Sequence, residues 1–150
     1  MSNVVRNVLA VLAGLVIGSI VNMLLVAIGP LVIPPPAGAD VSSMEALSKA
    51  MPLFEPRHFI MPFLAHALGT LVGALAAYLI AVSYKARFAW VIGILFLLGG
   101  VAASLMIPAP TWFKALDLLL AYLPMAWLGT LIGARLHQSR SVNQGIGEHS

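Results

Sequence analysis

Residues 59–83 read FIMPFLAHALGTLVGALAAYLIAVS. This run of 25 residues contains no Lys, Arg, Asp or Glu, and a helix needs only about 20 mostly apolar residues to cross a hydrocarbon core about 30 Å thick. Ala65, Gly69, Gly73 and Ala77 recur at every fourth position within it, which puts them on one helix face where another backbone can approach closely. The segment therefore predicts a membrane-spanning helix with one narrow packing face, and it places His66 and Thr70 inside the bilayer.

Three more windows of similar character flank it, at 8–28, 88–107 and 113–134. Gly29-Pro30 should stop the first, because proline lacks the amide hydrogen and clashes with the preceding turn. The polar turn Tyr84-Lys85-Ala86-Arg87 joins the second and third, and Pro108-Ala109-Pro110 ends the third. The fourth carries Lys114 and Asp117 in its first turns. The expected fold is all-α: an integral membrane four-helix transmembrane bundle over residues 1–136, with an outer loop at 29–57. Residues 137–150 are polar, without apolar period, and predict a disordered cytoplasmic tail holding His137 and His149. Pro62 and Pro124, each inside a span, should kink their helices or open a local gap.

Composition points the same way. Of 150 residues, 61% are hydrophobic and 9% charged, where a soluble domain carries about 25% charged residues. No cluster of Lys or Arg exists to neutralise phosphates, so nucleic-acid binding is not supported. Cysteine is absent, which excludes disulfides, thiolate metal sites and thiol chemistry.

Basic residues set the orientation, because positively charged short loops stay in the cytoplasm. Arg6, Lys85, Arg87, Arg135 and Arg140 against Glu148 leave +4 on one side, whereas Lys49, Arg57 and Lys114 against Asp40, Glu45, Glu55 and Asp117 leave −1 on the other. Both termini are therefore expected in the cytoplasm, with Tyr84 and Trp90 at one interface and Trp112 at the other. A signal peptide cleaved near Ala37-Gly38-Ala39 is the competing reading of the first span. Its apolar run is longer than the usual 7–15 residues, and Pro34-Pro35-Pro36 separates it from that site, so a retained span is preferred.

Within the outer loop, Ser42 followed by Glu45 has the spacing of a capping box, and Met44, Leu47 and Met51 recur at helical spacing. A short amphipathic helix at the outer interface is expected there.

Lipid is as apolar as leucine, so helices in a bilayer associate through close packing of small residues and interhelical hydrogen bonds. Gly14 and Gly18 supply such a stripe in the first span, Gly69 and Gly73 in the second, Gly100 in the third, and Gly129 and Gly133 in the fourth. Intramembrane polar groups are costly, about 2.5–3.5 kcal/mol for Asp or Lys at the centre, and tend to face the interior. Depth and helical phase bring Asn22, His66, Thr70, Ser104 and Asp117 to the outer half of the bundle. His66 and Asp117 are the expected pair, and such a pair is either hydrogen-bonded glue or a site that handles a proton or a ligand.

Glu55 and His58 form an E-x-x-H spacing that, with His66, is the weaker candidate for metal or haem binding; Pro56 intervenes and no second E-x-x-H occurs. No cofactor is expected. No Ser-His-Asp elbow, Walker loop or dinucleotide fingerprint is present, since Gly14 and Gly18 sit within an apolar helix and not after a strand.

The stretches Ala13-Gly14-Leu15-Val16-Ile17-Gly18-Ser19, Asn22-Met23, Ile33-Pro34-Pro35-Pro36, His66-Ala67-Leu68-Gly69-Thr70, Pro108-Ala109-Pro110-Thr111-Trp112 and Pro124-Met125-Ala126-Trp127 resemble a group of small four-span bacterial proteins without assigned activity. The resemblance covers residues 4–136 and implies a bacterial inner membrane, but no substrate or catalytic residue. Small multidrug-resistance transporters share the span count but depend on a carboxylate in the first span, which is missing here. Thiol–quinone redox proteins need cysteine. The sequence alone thus favours a structural, accessory or assembly component whose partners are the lipid bilayer and a larger membrane complex or copies of itself. A small proton- or cation-linked transporter or channel subunit is the alternative.

Overall fold

A computed structural model of the chain describes the backbone of residues 2–147. The described residues are helical, with no strand. Helix α1 spans Asn3–Val32, α2 Met44–Ala50, α3 Ile60–Ile80, α4 Lys85–Met106, α5 Thr111–Leu120 and α6 Leu123–Gly147. Two 3-10 turns, Met51–Leu53 and Pro56–Phe59, lie between α2 and α3. Four helical segments are long and apolar enough to cross a membrane: Asn3–Val32, Pro56–Ile80, Lys85–Met106 and Thr111–Ser139.

The helices run alternately up and down, and local chemistry sets their ends. Ser2 caps α1 by accepting the Val5 amide. Pro30 does not stop α1, which continues to Val32. In the last turn the only amide missing is the proline's own, and Ile33 N–H still reaches the Gly29 carbonyl at 2.8 Å. Pro62 falls in the first turn of α3, where an absent amide leaves no bond within that helix unmade, so α3 carries no internal break there. Pro124 does mark an interruption. The fourth span is broken at Ala121-Tyr122, just ahead of it, into α5 and α6. The expected disordered tail also differs: α6 continues as helix through Gly147, while residues 148–150, including His149, lie outside the described residues.

The outer loop forms its helix one residue later than the capping pattern suggested. Ser43, not Ser42, caps α2 by accepting the Ala46 amide at 3.1 Å. Ser42 instead donates its backbone N–H to Asp40 Oδ1 at 2.9 Å, and the Ser42 hydrogen bonds hold the Asp40 carboxyl below its ordinary value. On α2 the buried side is Ala50, with Met44 facing outward.

Helix α3 is the hub, packing against α1, α4 and α6. Its contact with α1 is backbone on backbone. A methyl group added at Gly18 would lie 2.6 Å from the Gly69 carbonyl oxygen, and one at Gly14 would lie 2.7 Å from that of Gly73, with the reciprocal approaches at 2.9 and 2.7 Å. Only glycine at these four positions permits this separation. On the opposite flank Gly129 meets the α3 backbone at Leu71, and Gly133 receives the Tyr78 ring. Asn7, buried on the Ala10–Gly14–Gly18 stripe of α1, clamps the α3–α4 turn: Nδ2 donates to Ser83 Oγ at 2.8 Å and Oδ1 accepts Val82 N–H at 3.0 Å. Tyr84 completes that turn in the left-handed conformation, φ 47°, with the Arg87 guanidinium 4.5 Å from its ring centroid.

A polar cluster beside the α1–α4 cleft

Three segments converge at the interrupted fourth span. His66 stands on α3, Asp117 on α5, and Tyr122 at the break between α5 and α6. His66 Nδ1 lies 2.9 Å from both carboxylate oxygens of Asp117. Tyr122 Oη donates to Asp117 Oδ2 at 3.0 Å, and the His66 and Tyr122 rings stack with centroids 5.9 Å apart and planes at 26°. Asp117 is 5% exposed and Tyr122 2%. A carboxylate removed from water to this extent needs hydrogen-bonding partners, and here it has the Tyr122 hydroxyl and the His66 ring nitrogen.

The break makes the cluster possible. On an unbroken helix at 100° per residue, positions 117 and 122 would diverge by about 140°, and their side chains would leave on different faces. Ending α5 at Leu120 and restarting at Leu123 lets the Tyr122 hydroxyl turn back onto Asp117. Gly100 of α4 provides the space, since any side chain there would strike the Tyr122 ring. An aromatic cluster holds the start of α5 beside that of α3: Phe59 lies 4.8 Å from Phe113 and 5.4 Å from Trp112, centroid to centroid.

His66 and Tyr122 form one wall of a cavity of about 290 Å³, at the small end of the range for small-molecule sites, roughly 300–1,000 Å³. Asn22 and Ser19 of α1 line it opposite Phe96 and Gly99 of α4. Asn22 Oδ1 is buried without a hydrogen-bond partner. Such an atom costs about 1–3 kcal/mol of lost solvation.

The other expected members take different places. Thr70 is fully buried, but its hydroxyl is spent on the His66 carbonyl at 2.8 Å, so it holds the helix behind the site and does not line the cavity. The Ser104 hydroxyl bonds the Val101 carbonyl at 2.7 Å. The Ser104 carbonyl accepts Lys114 Nζ, which places a cation on the C-terminal turn of α4, where the helix dipole favours it.

Glu55 and His58 do come together, but as the cap of the 3-10 turn Pro56–Phe59. His58 Nδ1 accepts the Glu55 amide at 2.9 Å, the Glu55 side chain accepts from the His58 backbone, and Arg57 Nε lies 3.0 Å from Glu55 Oε2. Their E-x-x-H spacing is thereby accounted for as turn chemistry. Among the described residues no group of three or more His, Asp or Glu side chains is placed to hold a metal ion.

Sequence reasoning missed Tyr122 and Ser19. Tyr122 carried no helical-phase signal because its position depends on the break. Ser19 follows directly on Gly18, and its exposure on the neighbouring stripe of α1 could have been read from that register. Comparison with protein-family models, with curated proteins and with solved structures returns no match.

Proposed function

We propose that the protein is a multi-pass integral membrane protein of a bacterial inner membrane, with both termini cytoplasmic, acting as a small proton- or cation-linked transporter or channel subunit through His66 and Asp117. One observation carries this reading: a carboxylate 5% exposed, held 2.9 Å from an imidazole that itself lines a cavity. Ionisable groups within membrane spans are rare, and they mark ion and proton routes when they face a cavity. The pair can share one proton through Nδ1 and take a second at Nε2, the resulting imidazolium being offset by the carboxylate. Orientation is supported by the +4 against −1 distribution of charge between the two sides.

The test is flux into proteoliposomes carrying a pH-sensitive dye under an imposed potassium diffusion potential, with sodium and potassium currents measured alongside. The wild type should exceed empty liposomes, and Asp117→Asn should reduce the flux at least tenfold without changing its melting temperature in detergent by more than a few degrees. Equal flux in the two proteins would overturn the assigned role.

A second reading, a structural or assembly component, is favoured by the same hydrogen bonds, which fasten α3 to α5 and Tyr122. A wild type with no flux above empty liposomes, purifying in a stable complex, would support that reading against the first.

A further inference from the structure

We propose that a second cavity, at the outer-loop end of the bundle, binds a small uncharged molecule with an apolar body and one hydrogen-bond acceptor, received by Nε2 of His58. The inference is independent of the role given to His66 and Asp117. It assigns the ring nitrogen that the 3-10 turn leaves unused.

The donor follows from the cap. The Glu55 amide donates to His58 Nδ1 at 2.9 Å, so that nitrogen is the bare one and the ring proton sits on Nε2. A proton on Nδ1 would point at another N–H, and the Glu55 carbonyl, 3.2 Å from Nδ1, already accepts the His58 backbone N–H at 3.0 Å. The Phe54 ring, 5.5 Å away between centroids and T-shaped to the imidazole, braces it in this orientation. His58 is 9% exposed. Its Nε2 has no partner among the described residues, yet it keeps accessible surface, which Asn22 Oδ1 does not. That surface opens on the space His58 lines: a chamber between α1, the outer loop and α3, and an adjoining hollow that shares Ile33 and Pro35 with it. A nearly buried donor without an acceptor is a cost to the fold that a ligand removes.

The ligand class follows from what surrounds that donor. The chamber measures about 230 Å³, and Val26, Val41, Leu47, Phe54 and Met61 are among its walls; His58 is the only polar side chain in its lining. A cavity of about 150 Å³ lined by Leu, Ile and Phe takes up benzene, so this one has room for a body of about two rings. The adjoining hollow contains Arg57, but its Nε lies 3.0 Å from Glu55 Oε2 and the two charges offset each other. An anionic head would lose its hydration with no unpaired cation in either lining to meet it. A cation would face a donor in place of an acceptor. A carbonyl oxygen on an apolar frame matches on each count. An aryl ketone carries this chemistry, and so does the ester carbonyl of a membrane lipid.

The experiment uses NMR of the full chain, carrying nitrogen-labelled histidine, in nanodiscs of zwitterionic diether lipid, which has no ester carbonyl. The His58 ring nitrogens are assigned by their loss in His58→Asn, whose shorter side chain still offers an oxygen to the Glu55 amide and has nothing at the Nε2 position. Before any ligand is added, Nε2 should be protonated and Nδ1 bare; the opposite tautomer overturns the proposal. Titration with 2-acetylnaphthalene should shift Nε2 saturably while the His66 signals stay in place. In competition, 2-isopropenylnaphthalene, with a methylene in place of the oxygen, and anionic 2-naphthoate should each be about tenfold weaker, the ratio that one unmet donor gives. Leu47→Trp fills the chamber from the loop and leaves the cap intact, so it should abolish the saturable shift with an unchanged melting temperature. A shift that never saturates, or equal competition by the methylene compound, overturns the donor assignment. Stronger competition by naphthoate overturns the ligand class, and undiminished binding to Leu47→Trp overturns the chamber as its seat. Once binding of the ketone stands, diester nanodiscs without probe identify the natural source. An Nε2 shift relative to diether lipid assigns the acceptor to the bilayer, and identical signals assign it to a free molecule.

Discussion

Two adjacent stripes of α1 meet their neighbours in opposite ways. Along the stripe of Asn7, Ala10, Gly14 and Gly18 the helix packs closely, and at Gly14 and Gly18 it lies backbone to backbone on α3 with no room for a methyl group. Along Leu15, Ser19 and Asn22, a short rotation away, it stands off from α4 and borders a cavity of about 290 Å³. In a medium as apolar as the side chains themselves, hydrophobicity does not distinguish these stripes. Side-chain size does: where both partners offer glycine the gap closes, and where Tyr122 lies over Gly100 and Gly99 faces outward it stays open. The closed seam holds α1 in place beside a cavity that Asn22 and His66 both line.

Equal changes made on the two sides should therefore give unequal effects, and the largest is expected at the seam. Gly18→Leu places a side chain against the Gly69 carbonyl, which belongs to helix backbone and cannot yield. A loss of about 3 kcal/mol is expected, seen as early thermal unfolding or aggregation in mild detergent. The same substitution at Gly99 should stay within about 0.5 kcal/mol of the wild type. Similar losses at both positions would erase the distinction between seam and cleft.

A smaller effect, of opposite sign to ordinary truncation of a core polar group, is expected at Asn22. Asn22→Leu removes an acceptor that has no partner, so thermal stability in detergent should hold or rise by about 1 kcal/mol. A clear loss would mean that Oδ1 is satisfied.

The smallest effect lies in the outer loop, far from both stripes. Hydrogen bonds from Ser42 favour the ionised form of Asp40 and hold its carboxyl below the ordinary value. The stability this lends the bend at 40–43 is present above the usual carboxylate range and is lost as pH falls through the lowered folded value. Amide exchange at Ser42 should quicken on acidification while amides along α3 are unaffected. A pH-independent rate at Ser42 would contradict the assignment.

Much of this was legible in the sequence, for identifiable reasons. The four long helices follow from uninterrupted apolar length, and the glycine stripes from spacing alone, because both depend on local properties of one segment; that the stripes of α1 and α3 pair with each other is seen only in the structure. The pairing of His66 with Asp117 follows from depth and helical phase, although the span that carries Asp117 is broken after Leu120. That break hid Tyr122, five residues on from Asp117. Thr70 and Ser104 were misplaced because a hydroxyl on a helix has a partner close at hand, the carbonyl three or four residues back, and takes it before reaching outward. Pro30 shows that a helix end is set by which hydrogen bonds are lost, not by composition alone.

The central claim, a carboxylate–imidazole pair enclosed by the bundle, is most directly tested by solid-state NMR of the protein in lipid bilayers with labelled histidine and aspartate. His66 is assigned by comparison with His66→Gln. The account predicts a through-space correlation between His66 Nδ1 and Asp117 Cγ, and a shift of that nitrogen in Asp117→Asn. A His66 ring with no such correlation, and with an Nδ1 resonance indifferent to residue 117, would contradict it.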